Sequence, residues 1–377
     1  MESNISPKMN FTLIFKPLQS VHLHKDVGQV PFQLHKHFGF ESNIVYNNKT
    51  DHFDYIESEL HGLNIIKSNT WIYLIKNARK IDSLMVFHVS TQSIYAILLY
   101  KFLNPNGFAY LKADIGDSEL AYAKWGNRNH LTQLKRSILF RSLLRKLDLL
   151  SIECREVFEK ITQVPSGKKI HMPNGFDPEM AVHYGVKPRP FDQKENIILL
   201  VGRHGARQKN SELMLRAMEL MEDLGNWRVL FIGPMTNEFR RLKDDFLETH
   251  PRLKGHAEFL GNISNKSELF GFYSRAKIFC LPSRWESWGL VCGEALSFGN
   301  VLVMSKEIVS APDLTDDGRA GFMIEGENPK AWADTLSTLM GDQDRLADFS
   351  QRASAHFNRN FIWKNLLHDL ADRIRHT

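Results

Sequence analysis

The sequence predicts an α/β protein of more than one domain, and three observations carry that prediction. The stretch Phe279–Val303 (FCLPSRWESWGLVCGEALSFGNVLV) reads as strand, loop, helix and strand, which is a βαβ unit. Further short, continuous apolar runs at Leu84–His88, Ile197–Val201 and Val229–Gly233 have the character of strands buried on both faces, as in a parallel sheet. Pro173, Pro178, Pro188 and Pro190 fall in one tract ending near Gln193, a composition that suits a linker. At 377 residues the chain is long enough for two or three domains, each with its own core.

Composition narrows the class further. Hydrophobic content of 43% and charged content of 24% are those of an ordinary globular protein. No apolar run approaches the ~20 residues that a membrane span needs, and the N-terminus MESNISPKMN lacks a cationic signal region. Cys154, Cys280 and Cys292 are scattered and odd in number, which predicts a reducing compartment and no structural metal. The expected location is therefore cytoplasmic. A net charge of +5 suits nucleotide phosphates, an anionic membrane or nucleic acid without choosing among them. The sixteen histidines lack ligand-like spacing, so no metal site is expected. Dinucleotide-binding, P-loop and serine-hydrolase readings lack their glycine-rich motifs.

In order along the chain, Phe11–Phe15 predicts a first strand, followed by a loop PLQSVHLHKDVGQVP and a helix near Phe32–Phe38. Asn43–Val45 and Asn64–Ile66 read as short strands, Leu84–His88 as a stronger one, Ser93–Phe102 as a helix and Gly107–Lys112 as a strand. Between Ala121 and Leu147 no acidic residue occurs, while Lys124, Arg128, Lys135, Arg136, Arg141, Arg145 and Lys146 accumulate among leucines. This predicts a basic helix that either lies against anionic lipid or is half-buried in its own domain. Nucleic-acid binding is not expected, because no aromatic platform accompanies these cations. Asp148–Ile152 is a further strand.

Beyond the linker, Ile197–Val201 is a strand ending in Gly202-Arg203. The loop HGARQKN leads from there into a helix Ser211–Met221, with Asn210 or Ser211 as N-cap. Val229–Gly233 is the next strand and Glu238–Phe246 a helix. Ala257–Leu260 is a strand closed by Gly261, and Ser267–Tyr273 a helix with Leu269 and Phe270 inward. In the βαβ stretch, the strand Ile278–Leu281 is closed by Pro282, the loop Ser283–Gly289 holds Glu286, and a helix from Leu290 carries Glu294 until Gly299 ends it. The loop lies at the C-terminal end of its strand, where open α/β sheets bind ligands. Two glutamates can thus face one pocket from different sides, with the positive end of a helix between them to receive a phosphate. Ala331–Met340 and Gln351–Ile374 read as helices.

The pattern E-S-aromatic-G-L-V-x-x-E-A from Glu286 to Ala295 has Pro282, Ser283 and Gly299 in register. It resembles the signature of retaining glycosyltransferase family 4, of the GT-B fold. IHMPNGFD (Ile170–Asp177), the Arg203…Lys209 segment and the Leu260-Gly261 turn resemble other segments of that family. The resemblance implies two Rossmann-like α/β domains facing across a cleft. Residues 1–175 would bind the acceptor and 176–357 the donor, with about 358–377 crossing back as a C-terminal helix.

The resemblance also implies retaining, metal-independent transfer of a sugar from a nucleotide-sugar to a hydroxyl of a saccharide or lipid-linked saccharide, in bacterial surface polysaccharide or glycan assembly. A UDP-sugar comes first as donor, with GDP- and dTDP-sugars as alternatives, and no separate cofactor is implied. Arg203 and Lys209 would grip the pyrophosphate and Glu286 the donor sugar. The N–H groups of Leu290 and Val291, after Gly289, would meet the phosphates, Glu294 the ribose, and Gly261 would lie near the base. Gly28 falls where the family has a flexible glycine loop, with Lys25 and His24 beside it as acceptor contacts. YLKADIGD replaces the segment in which a family histidine meets the sugar, leaving Asp114 or His88 to supply that contact. Another GT-B enzyme (a phosphorylase or nucleotide-sugar epimerase) and a lapsed GT-B scaffold or sugar-binding module are the other readings. Peripheral contact of 124–146 with an anionic membrane is a further expectation.

Overall fold

The computed structural model describes residues 8–48, 53, 59–113 and 130–377, the side chains of 130–137 excepted. It divides into two compact units, Met1–Gly175 with Trp363–Thr377, and Phe176–Ile362.

The first unit is built on seven parallel strands: β1 Asn10–Ile14, β2 Glu41–Tyr46, β3 Leu63–Lys67, β4 Ser83–Phe87, β5 Phe108–Ala113, β6 Leu149–Ile152 and β7 Lys169–His171. Parallel neighbours require crossovers. Among the described residues these carry helices α1 Ser20–Leu23 and α2 Asp26–Phe38 between β1 and β2, α3 Thr70–Asn77 between β3 and β4, α4 Thr91–Leu103 between β4 and β5, α5 His130–Lys146 between β5 and β6, and α6 Arg155–Lys160 between β6 and β7. The spatial order is β3-β2-β1-β4-β5-β6-β7. The chain therefore steps outward from β1 to β3, then returns to the other side of β1 with β4. That reversal opens a crevice beyond the ends of β1 and β4.

One sequence expectation is corrected here. The segment around Gly28 is not a flexible loop. Helix α2 begins at Asp26, with Lys25 as N-cap and His24 as the C-cap of α1. Gly28 is buried in the first turn of α2, and a Cβ there would lie 2.2 Å from the Leu23 carbonyl oxygen. It is a glycine because α1 and α2 meet backbone to backbone. Gly28 and Pro31 read as breakers in the sequence, yet both lie inside α2. His24 lies 3.7 Å from Glu59. Asp114 lies outside the described residues, as do residues 124–129 of the basic stretch.

The second unit has six parallel strands: β8 Glu195–Val201, β9 Arg228–Ile232, β10 Ala257–Gly261, β11 Ala276–Leu281, β12 Val301–Ser305 and β13 Gly321–Ile324. Their order is β10-β9-β8-β11-β12-β13, which repeats the reversal of the first unit between β8 and β11. The helices are α7 Pro178–His183, α8 Ser211–Leu220, α9 Asn237–Thr249, α10 Lys266–Arg275, α11 Leu290–Ser297, α12 Ala311–Leu314, α13 Pro329–Gly341 and α14 Gln343–Asn360. Asp177 caps α7 by accepting from the Glu179 N–H, and Pro178 occupies its first position, where a missing N–H costs nothing. Ile198, Leu200, Val229, Phe231, Ile278 and Val303 form one core with Leu213, Met214, Trp332 and Leu336 of α8 and α13. The Asp342-Gln343-Asp344 triplet is a helix start, with Asp342 accepting from the Arg345 N–H at 3.0 Å.

The final apolar segment is three helices and not the continuous Gln351–Ile374 helix that its periodicity predicts. After α14 the backbone leaves the helix, because Ile362 forms a parallel bridge with Phe176. Helices α15 Trp363–Leu366 and α16 His368–Arg375 then join the first unit. Trp363, Leu367, Leu370 and Ile374 enter the cluster that contains Phe11, Leu34 and Phe40.

Candidate functional site

In the second unit the reversal of strand order sends the loops after β8 and β11 out of the sheet side by side. Lys209, from the first loop, is ion-paired with Glu286, from the second. Ser283 donates to the same carboxylate oxygen at 2.9 Å, and the Gln208 amide donates to the other oxygen and to the Trp285 carbonyl, both at 3.0 Å. Both oxygens of Glu286 are therefore engaged. Arg284 fastens the two loops. Its N–H donates to the Gln208 carbonyl at 2.8 Å. Its guanidinium donates to Glu327 at 2.6 and 2.8 Å, to Glu212 at 3.1 Å and to the Arg207 carbonyl at 2.5 Å. The bonds to Glu327 and Glu212 raise its pKa above the ordinary arginine value. Arg284 and Gln208 escape a sequence reading because their partners come from other loops. Arg203 is exposed, and its side chain makes no hydrogen bond or ion pair among the described residues.

The ends of β8 and β9 are pressed together. Gly202 donates to the Ile232 carbonyl at 2.9 Å, and Gly233 to the Gly261 carbonyl at 2.7 Å. Gly261 takes φ +69° at the end of the edge strand β10. His204, next to Arg203, is buried. It lies 5.6 Å from Phe239 in a stacked arrangement, and its Nδ1 is 2.8 Å from the Ser211 hydroxyl. Burial pushes its pKa down to about 4; a backbone contact with Ile232 opposes this, and the Lys209 charge adds to it. The folded state thus holds His204 neutral, whereas the unfolded chain takes up a proton near pH 6.5. Stability should therefore fall as pH drops from about 6.5 to about 4, by about 3 kcal/mol in all. Melting temperatures of the native protein and His204→Asn over that range test this: the variant's profile should be the flatter. Parallel profiles would remove His204 as the cause.

Helix α11 starts beside the Lys209–Glu286 pair. Gly289 is its N-cap at φ +83°, with the Leu281 side chain 3.1 Å from where a Cβ would stand. The N–H groups of Leu290 and Val291 donate to no acceptor among the described residues. One turn on, Glu294 is half-buried. Burial raises its pKa, against the influence of Lys266 and the Tyr273 hydroxyl. That hydroxyl is itself buried beside the carboxylate without closing a hydrogen bond. The arrangement offers a half-desolvated carboxylate with acceptor capacity unused, next to free N–H groups and a cation. It can hold a ligand that bears both hydroxyls and phosphates.

The first unit has a pocket of about 600 Å³ at its own reversal point, beyond β1 and β4. Phe15, Lys16, His22, Trp71, His88 and Gln92 are among the residues lining it. His88 is exposed at φ +56°, a left-handed backbone that a side-chain-bearing residue adopts at some strain. Its N–H donates to the Lys112 carbonyl at 3.0 Å and its own carbonyl accepts from the Ser90 N–H at 3.0 Å, which holds that conformation. Burial and the nearby Lys25 lower the pKa of His22, against Asp26, so His22 is neutral at pH 7. Aromatic rings beside amide and imidazole groups suit a polyhydroxylated ring.

Residues 186–356 match the family described as Glycosyl transferases group 1. The chain is similar to the D-inositol 3-phosphate glycosyltransferase of Nocardia farcinica, 30% identical over 182 residues, which are 47% of this chain and 40% of that protein. It is also similar to the phosphatidyl-myo-inositol mannosyltransferase of Mycolicibacterium smegmatis, 25% identical over 50% of this chain and 47% of that one. The match spans less than half the length of these relatives. Among solved structures, a glycosyltransferase from Rickettsia africae superposes with a TM-score of 0.71 at 14% identity, over 98% of each chain. HepE of Anabaena in complex with UDP does so with a TM-score of 0.71 at 13% identity, over 98% of this chain and 100% of that one. The fold is the GT-B fold of these proteins.

Proposed function

We propose that this chain, whose residues 186–356 form a group 1 glycosyltransferase domain, transfers a sugar from a nucleotide-sugar to a hydroxyl of a saccharide or lipid-linked saccharide, with retention of configuration. The observation that carries the reading is the meeting of Lys209 and Glu286 from two loops at a reversal of strand order, directly before the free N–H groups of α11. Lys209, with Arg203, holds the pyrophosphate, whose negative charge grows as the glycosidic bond breaks. The amides of Leu290 and Val291 add to that grip, and Glu294 accepts from the ribose hydroxyls. Glu286, already engaged on both oxygens, orients the donor sugar and is not a free base. A donor phosphate oxygen then takes the acceptor proton. The first-unit pocket receives the acceptor, with His88 at its rim supplying a polar contact. UDP is the first candidate for the nucleotide, in keeping with the complex of the Anabaena relative in fold. Contact of the basic helix α5 with an anionic membrane, a cytoplasmic location and a role in surface glycan assembly belong to the same reading.

Thermal stabilisation against UDP, GDP, dTDP, ADP and their sugars tests it. A ligand at a hundred times its Kd should stabilise the folded state by about 2.7 kcal/mol. The response to one nucleotide should be lost in Glu294→Ala, and nucleoside diphosphate release should require an acceptor hydroxyl. Release driven by phosphate alone would point to a phosphorylase. Silence toward every nucleotide would overturn the reading in favour of a lapsed domain.

A further inference from the structure

The pocket beyond β1 and β4 is lined by hydrogen-bonding groups that the first unit leaves unused, and most of them are donors. Lys16 is exposed and makes no ion pair or side-chain hydrogen bond among the described residues. His22 accepts at Nδ1 from the Gln19 N–H, at 2.9 Å. A neutral imidazole that accepts at Nδ1 carries its proton on Nε2, so that N–H is left to donate. The side-chain oxygen of Asn69 is taken by the N–H groups of Trp71 and Ile72 at 3.0 and 3.3 Å, which leaves its NH2 group. The amides of Asn47 and Gln92 are open at both ends. The Ser90 and Ser93 hydroxyls are already bonded to each other at 2.8 Å, and Ser93 also to the Phe87 carbonyl at 2.9 Å. No Asp or Glu occurs among the described residues that line the pocket. Of its rings, Phe15 stands edge-on to His22 and Phe87, with ring centres 5.1 and 5.5 Å apart. Trp71 is 38% exposed and meets no other ring among the described residues, so it is open to a ligand.

We infer that this pocket selects a saccharide bearing one carboxylate, a uronic acid, with the acid group on Lys16 and the sugar ring against Trp71. Each hydroxyl of a neutral sugar donates as well as accepts, so a site for such a ring has to offer acceptors in return. A carboxylate only accepts, at about four lone-pair positions. The Lys16 ammonium, the Nε2–H of His22 and the Asn69 NH2 group are the partners it requires, and a bond from an ammonium to a carboxylate is among the stronger kinds. The number of charges decides between acids. Lys16 contributes one positive charge and His22 remains neutral, so the pocket compensates one negative charge. A ring carboxylate carries one, whereas a phosphate monoester near pH 7 carries about 1.5 to 2. That this uronic acid is the acceptor rests on the function proposed above, whereas its binding does not.

Saturation-transfer NMR with methyl glycosides tests the selection, using the glucoside, galactoside and mannoside, their uronides and their 6-phosphates. At least one uronide should bind about tenfold more tightly than its neutral partner, the effect of one charge-assisted hydrogen bond. Lys16→Gln should abolish that preference and leave the neutral glycoside's affinity as it is, while Lys16→Arg should retain it. Trp71→Ala should weaken the uronide and its neutral partner alike. All three variants should melt as the native protein does and respond to nucleotide as it does. Equal binding of uronides and neutral glycosides, a preference that survives Lys16→Gln, or no binding by any uronide would overturn the inference. Tighter binding of a 6-phosphate than of its uronide would overturn it too, in favour of a phosphate site. A nucleotide response without uronide preference would leave sugar transfer standing and overturn the inference alone. Uronide preference without any nucleotide response would do the reverse.

Discussion

Replacing Lys209 by alanine is expected to lower turnover by a factor of about 10²–10³, the loss seen when one preorganised group is removed from a developing anion. Lys209 stands at the end of the β8 loop with its side chain 17% exposed, in a site where water screens its charge poorly. As the glycosidic bond breaks, the departing diphosphate gains negative charge, so the ammonium stabilises the transition state more than bound donor. The loss should therefore appear in kcat more than in KM. Glu286 would keep its bonds from Ser283 and Gln208, and Arg284 would still fasten the two loops. The variant should thus melt cooperatively, with a cost of about 1–3 kcal/mol for the carboxylate left without its cation. Steady-state kinetics and a thermal melt on the same preparation check both parts. Native-like kcat in a folded Lys209→Ala protein would sink the phosphate assignment.

Gly233→Ala should destabilise the second unit by about 3 kcal/mol or more, from overpacking and backbone strain together. Gly233 follows β9 at φ +136°, and a Cβ there would stand 1.9 Å from the Gly202 carbonyl oxygen. No flexible side chain can yield, because the obstacle is the backbone at the end of β8. The melting temperature should fall by about 6–12 °C. The nucleotide response should weaken as well, since the displaced segment carries Gly202 and Arg203. Gly185→Ala is the control: φ there is +74°, with no atom within 4 Å of a built Cβ, so it isolates backbone strain from collision. If the two variants melt alike, close approach of β8 and β9 is not what requires glycine at position 233.

Strands and helices marked by local pattern were legible in the sequence. Ile197–Val201, Val229–Gly233 and Phe279–Val303 announce β8, β9 and the β11–α11–β12 unit, because a continuous apolar run between turn residues has few other stable forms. The start of α11 after Gly289 and its end before Gly299 follow from the same local chemistry. Where local signals conflict with packing, the reading fails. Gly28 and Pro31 suggest a break, yet both lie inside α2, where the absence of a Cβ at Gly28 lets α1 approach closely. Trp363–Arg375 continues a helical pattern, yet the bridge from Phe176 to Ile362 interrupts it.

The sequence by itself determined the class of fold, the βαβ unit with its two glutamates, and the identities of Arg203 and Lys209 near a strand end. All of these rest on neighbours within about ten residues. Only the tertiary structure decided that Lys209 pairs with Glu286 across 77 positions, and that Arg284 ties their loops to Glu212 and Glu327. The physical reason is strand order. Apolar pattern states that a segment is a strand, while which strand lies beside it depends on how all the crossovers pack. Where β8 meets β11, two loops distant in sequence leave the sheet together.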